Sequence, residues 1–147
     1  MLIATVISTE KRIEKTEKEP EVIQKGNETI LIIDDEDMVL EVGEKFLRFM
    51  GYQVLTALDG MKAIEVYRRQ KESIDLVILD LVMPKMEGGE VFERLRAISS
   101  DVKILISSGY SVDGKATQIL DQGACGFIQK PFDMMQLSKG IRAILNQ

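Results

Sequence analysis

The chain has no histidine and no tryptophan among its 147 residues, and a single cysteine, Cys125. Without histidine there is no imidazole base, no imidazole metal ligand and no phosphohistidine. Acid–base or nucleophilic chemistry must then come from carboxylates, hydroxyls or lysine. One cysteine permits no intrachain disulfide and suggests no thiolate metal site, which fits a reducing, cytoplasmic setting. No run is long and apolar enough to span a bilayer, so no membrane contact is expected. The apolar start "MLIATVIST" lacks the basic flank and the small-residue cleavage site of a signal peptide. A net charge of −5 argues against a nucleic-acid surface.

What is present suits one globular domain: 45 % hydrophobic and 29 % charged residues, enough to bury one core. Composition divides the chain in two. Residues 1–28 hold the apolar start and then a charged stretch in which nine of the twelve residues from Glu10 to Glu21 carry charge of mixed sign. That reads as a solvated linker or frayed helix, ended by Pro20 and Gly26. Residues 29–147 form the domain.

From Thr29 onward, apolar runs of strand length alternate with stretches of helical spacing. The runs are TILII (29–33), QVLTA (53–57), DLVIL (75–79), KILIS (103–107) and GFIQ (126–129). The helical stripes are Val39, Val42, Phe46 and Met50; Met61, Ile64 and Tyr67; Val91, Leu95 and Ile98; Val112, Ala116, Ile119 and Leu120; and Met134, Leu137, Ile141 and Ile144. Near-continuous apolar strands alternating with helices predict a parallel sheet covered on both faces. The expected fold is an α/β, flavodoxin-like doubly wound (βα)5 domain with strand order 2-1-3-4-5.

In such a sheet, ligands bind at the carboxyl ends of the strands, beside the switch point between strands 1 and 3. Strand 1 delivers Asp34 and Asp35, strand 3 Asp80, strand 4 Ser107 and Ser108, and strand 5 Lys130; strand 2 ends in the bland TALDG. Glu36 and Asp37 are expected to favour the dipole of the first helix. Three carboxylates in one small site suit a hard, partly hydrated cation, which points to Mg2+, with Mn2+ possible as a substitute. Lys130 adds a mobile point charge for an anion, and Ser108 a donor. An anion, a divalent cation and a carboxylate nucleophile together describe phosphoryl transfer to aspartate.

With DDE at 34–36, LDLVMP at 79–84, SGYS at 108–111 and KPF at 130–132, the domain resembles a response-regulator receiver domain, the phosphoacceptor module of two-component signalling. The resemblance implies Asp80 as phosphoacceptor, and Asp34, Asp35, Asp80 and the backbone carbonyl of Val82 as metal ligands. It implies Ser108 and Lys130 as partners of the phosphoryl group, and a cis Lys130–Pro131 peptide. Phe127 falls on the aromatic switch position; lacking a hydroxyl, it cannot make the hydrogen bond a Tyr would. Val82 and Tyr110 fall on the variable positions that tune dephosphorylation. The implied partner is a histidine kinase or a histidine phosphotransfer protein. The implied output is a change in the face made by helix 4, strand 5 and helix 5; that face or, alternatively, the N-terminal segment is a candidate homodimer surface.

Other classes fit less well. A haloacid-dehalogenase-like aspartyl-phosphate phosphatase has an Asp two residues beyond its nucleophile, where this chain has Val82. A flavin module needs a hydroxyl- and Gly-rich phosphate loop after strand 1, where this chain has DDED. A degenerate, docking-only receiver would lack site residues, and none is missing. The chain is not expected to be an enzyme beyond self-catalysed phosphotransfer and autodephosphorylation. It ends at Gln147, just past the last helix, and the apolar-then-charged start resembles the tether behind a kinase domain. The expectation is a receiver from a hybrid sensor histidine kinase. Cys125 is expected to pack near strand 5, the eight methionines to fill core, and Asp133 to cap the last helix.

Overall fold

The computed structural model describes residues 22–109 and 114–147. Strands and helices alternate as β1 (Thr29–Ile33), α1 (Asp37–Phe49), β2 (Gln53–Ala57), α2 (Gly60–Gln70), β3 (Leu76–Asp80), α3 (Gly88–Ile98), β4 (Ile104–Ser108), α4 (Gly114–Asp121), β5 (Gly126–Gln129) and α5 (Met134–Leu145). The strands are parallel, in the order β2-β1-β3-β4-β5 expected of the flavodoxin-like class. Residues 1–21, with the apolar start and Pro20, and residues 110–113, with Tyr110 and Val112, lie outside the described residues.

Side chains alternate across the sheet and build a core on each face. Leu31, Ile33, Val77 and Leu79 pack with Ala63, Ile64 and Tyr67 of α2, Val91, Phe92 and Leu95 of α3, and Ala116 and Ile119 of α4. On the other face Ile30, Ile32, Leu76 and Ile78 pack with Leu40 and Leu47 of α1 and with Leu137, Ile141 and Ile144 of α5. Ile30–Ile33 and the four residues 76–79 are all 0 % exposed. Each such Ile or Leu contributes roughly 1.5–3 kcal/mol of transfer free energy. β1 and β3 are therefore the rigid centre of the molecule.

Three expectations about packing are corrected. The buried face of α1 is Leu40, Gly43 and Leu47, continued by Met50, with Phe46 half-buried against the same core; Val39 and Val42 of the expected stripe lie off it. Gly43 explains the difference: a Cβ there would lie 2.6 Å from Ile32 Cδ1, so the helix approaches the sheet at a residue that adds nothing to an apolar pattern. Val42 instead joins Met38, Val39, Pro131 and Phe132 around an apolar hollow beside Lys130. Met61 turns to solvent rather than sharing the buried face of Ile64 and Tyr67, and Met38 is also exposed, whereas Met50, Met83 and Met86 are core residues. Cys125 is exposed. It sits one residue before the edge strand β5, where only one side of the chain is covered.

β3 and β4 each end one residue beyond the apolar runs, because the ladders continue until Asp80 pairs with Ser107 and Ser108 pairs with Gln129. Asp133 does cap α5: its carboxylate accepts from the Gln136 amide at 2.7 Å, while the Gln136 side chain accepts from the Asp133 amide at 2.9 Å. Residues 22–28 are not a free linker. The buried Ser138 hydroxyl accepts from the Gln24 amide and donates to its carbonyl, the Gly26 amide donates to Met50 O, and Arg142 Nη1 donates to both Glu28 carboxylate oxygens and to Tyr52 Oη. This strap ties α5 to the end of α1.

Candidate functional site

The residues singled out at the strand ends meet at one edge of the sheet. β1 and β3 are neighbours, so Asp34, one residue beyond β1, and Asp80, the last residue of β3, emerge side by side. Both are 1 % exposed, whereas Asp35, next in the chain, is exposed. One carboxylate oxygen from each of Asp34, Asp35 and Asp80 lies within 4.8 Å of the others. The turn after β1 is held by the Glu36 amide, which donates to Asp34 Oδ1 at 2.9 Å; the turn after β3 is held by the Val82 amide, which donates to Asp80 Oδ1 at 3.3 Å.

Lys130, one residue beyond β5, spans the cluster. Its ammonium lies 2.9 Å from Asp34 Oδ2 and 3.5 Å from both Asp80 Oδ1 and Glu36 Oε1. Glu36, expected only to favour the helix dipole, thus faces the site lysine. Its position two residues after Asp34 in a tight turn is the signal that could have found it. The Lys130–Pro131 peptide is cis, as the family resemblance implied. Ser107 and Ser108 are both buried; the Lys130 amide donates to Ser108 O at 2.7 Å, which joins the ends of β4 and β5. Phe127 lies in β5 opposite Ile106, half-buried against the core of the α2–α4 face. Val82, two residues past Asp80, is 54 % exposed.

One ammonium does not balance this much buried negative charge. Burial first, and the nearby Asp34 carboxylate second, push Asp80 up to about 7, against the pull of Lys130. Burial also raises Asp34, although the Glu36 amide and Lys130 oppose the shift. Burial works against the Lys130 charge, but Asp34, Asp80 and Glu36 outweigh it and raise its pKa. Among the described residues, the buried Asp80 Oδ2 has no hydrogen-bond partner. Such an oxygen within a three-carboxylate cluster has the chemistry that suits a hard divalent cation.

The backbone beneath the turn after β3 is tightly packed. The Gly88 amide donates to Leu81 O at 3.1 Å, and a Cβ on Gly88 would lie 2.6 Å from Leu81 Cα and 2.7 Å from Asp80 O. The start of α3 is thereby pressed against the residues that present Asp80.

A parallel (βα)5 sheet with paired acidic strand ends and a lysine at the end of β5 defines a receiver. The response regulator receiver domain model matches residues 30–142, and the chain belongs to that family. It is similar to the sensor kinase CckA of Brucella abortus, 33 % identical over 144 residues that cover 98 % of this chain and 15 % of the kinase. It is also similar to the probable transcriptional regulator ycf27 of Porphyridium aerugineum, 38 % identical over 82 % of this chain and 49 % of that protein. The chain therefore spans half or less of these relatives. Among solved structures, a receiver domain protein from Clostridium thermocellum superposes with a TM-score of 0.77 at 29 % identity, covering 81 % of this chain and 94 % of that one. The CheX–CheY–BeF3–Mg2+ complex from Borrelia burgdorferi superposes with a TM-score of 0.76 at 25 % identity, covering 80 % and 88 %. Among the described residues no helix is long and apolar enough to cross a membrane.

Proposed function

We propose that Asp80 accepts a phosphoryl group from a phosphohistidine on a histidine kinase or histidine phosphotransfer protein. Asp34, Asp35, Asp80 and the Val82 carbonyl would hold Mg2+, or Mn2+ in its place. The observation that carries this reading is the state of Asp80: nearly fully buried, one oxygen without a partner among the described residues, the other 3.5 Å from Lys130. The Mg2+ named for the Borrelia relative supports the choice of metal. When bound, the cation offsets repulsion between the carboxylates and the incoming phosphoryl oxygens.

The chain's own groups divide the remaining work. An Asp80 oxygen attacks phosphorus; the O–P bond forms as the donor's N–P bond breaks, and the donor imidazole keeps the electron pair. Lys130 shifts from Asp34 toward a phosphoryl oxygen, and the Ser108 hydroxyl donates to another. The new charge draws the end of β4 inward, Phe127 follows, and the α4–β5–α5 face changes shape. That face is the proposed output, and the proposed contact for any homodimer. Hydrolysis of the acyl phosphate resets the domain.

Residues 29–147 act as the receiver and residues 1–28 as its tether, with 22–28 packed on the domain. The similarity to a sensor kinase over 98 % of this chain, tether included, supports placing it in a cytoplasmic hybrid histidine kinase. Intact mass after incubation with acetyl phosphate and Mg2+ tests the core of the proposal. One added phosphoryl group, lost in Asp80→Ala and in EDTA, is expected. No adduct on the wild type, even when trapped cold, would reduce the domain to a docking module.

A further inference from the structure

Helix α4 is fastened to α3 at both ends, and the two fastenings differ in kind. At its start, Lys115 Nζ lies 3.2 Å from Glu87 Oε2, and the side chains are 47 % and 68 % exposed. Glu87 is the residue that precedes α3, seven positions beyond Asp80 in the chain. An exposed pair of two flexible side chains is weak and easily broken.

At the far end of α4, the half-buried Arg96 of α3 donates from Nη1 to Gln122 O at 2.9 Å, and its guanidinium sits 5.6 Å from the centre of the Phe92 ring. A cation on the last carbonyls of a helix also complements the helix dipole. The chain makes room for it. Gly123 has φ +122°, and a Cβ there would collide with Arg96 Nη1. The amides of Gly123 and Ala124 close the helix by donating to Leu120 O and Ile119 O. This end is built around the arginine, whereas the other end only touches a partner.

We propose that the Lys115–Glu87 pair is a latch that sets how tightly the Asp80 site takes up a phosphoryl group, with Arg96 as the pivot on which α4 turns. The inference rests on the phosphoacceptor reading. In that reading Ser108 moves toward the phosphoryl group, and α4 begins at Gly114, six residues further along the chain. A pull from that direction reaches the latched end first and leaves the pivoted end in place. A contact made only in the resting position lowers the apparent affinity for any ligand that selects the other position. Glu87 and Lys115 are therefore positioning residues, acting through α4.

Beryllofluoride titration with saturating Mg2+, followed by amide chemical shifts, reads this directly. Simple field effects give opposite signs: Glu87→Gln would strengthen binding of an anion and Lys115→Gln would weaken it. A latch gives the same sign for both. Each single variant is expected to bind beryllofluoride about two- to fivefold more tightly, the scale of an exposed ion pair. The double variant should gain nothing further, and the swapped pair Glu87→Lys/Lys115→Glu should return to the wild-type value. Weaker binding by Lys115→Gln, or no change in either variant, overturns the latch. A wild type that takes up no beryllofluoride overturns the phosphoacceptor reading instead, before any variant is compared. Amide exchange tests the pivot: Glu87→Gln should raise exchange near Lys115 but not at Leu120–Ala124, while Arg96→Ala should raise it at Leu120–Ala124. Equal increases along α4 in Glu87→Gln would overturn the pivot.

Discussion

Lys130 Nζ stands 2.9 Å from Asp34 Oδ2 and 3.5 Å from Asp80 Oδ1, so one ammonium serves two carboxylates that burial has stripped of solvent. Removing one member of a buried ionic cluster exposes the repulsion among those that remain. Lys130→Ala should therefore destabilise the metal-free protein by about 3 kcal/mol. Urea denaturation in EDTA measures the loss, and saturating Mg2+ should recover most of it by restoring positive charge.

Asp80→Asn should have the opposite effect on the metal-free protein. Asp80 has a folded pKa of about 7, above its usual 3.8. Its contribution is thus fully favourable below the usual value and is lost as pH rises through about 7. The wild type in EDTA should become less stable between pH 5 and pH 8, with that slope reduced in Asp80→Asn. At pH 8 the variant should be the more stable by roughly 1–3 kcal/mol. Thermal melts across that range, with EDTA throughout, supply the comparison.

Gly88→Ala tests whether the start of α3 positions the acceptor turn. The added methyl meets backbone at Leu81 and Asp80 rather than the end of a flexible side chain. Stability should fall by about 1–3 kcal/mol, and phosphoryl uptake from acetyl phosphate should slow even where the variant remains folded. Gly89→Ala is the control, since its new methyl would be 3.7 Å from Ile119 Cδ1, an ordinary contact.

The strap gives a prediction on the acid side. Burial opposes the Glu28 charge, but the hydrogen bond and charge of Arg142, together with the backbone amides of Glu28 and Asn27, outweigh it and hold the carboxyl below 4.5. Its stabilising contribution is complete above that value and fades as pH falls through the lower folded value. Glu28→Gln should cost about 1 kcal/mol at pH 7. The gap between variant and wild type should close in melts taken near pH 3.

The three central strands were legible because ILII, LVIL and ILI are apolar runs, as buried parallel strands must be; the edge runs QVLTA and GFIQ, with Gln53, Thr56 and Gln129 exposed, were legible from their place in the alternation of strands and helices. The strand-end chemistry was legible for the same reason: a charged residue directly after a fully buried run has one place to go. The α1 face was not, because its central contact is Gly43, and closeness of approach leaves no trace in hydropathy. Nor was the proximity of Glu36 to Lys130, which depends on how a turn folds over the end of a strand. The strap was hidden by its composition: Gln24, Gly26 and Glu28 are polar or small, yet their contacts are with Ser138, Met50 and Arg142, far along the chain.

The sheet is unequal across its width. Asp34 and Asp80 grow from β1 and β3, which have neighbours on both sides, whereas Phe127 belongs to β5, a four-residue strand with a neighbour on one side only. Selection can therefore act on the two parts at different speeds. A change at the centre disturbs every layer of the molecule, while a change on the border leaves the acidic cluster where it was. A substitution at Phe127 can thus remodel the border while Asp34 and Asp80 stay in register, so long as Lys130, which the same border strand carries into the cluster, is kept.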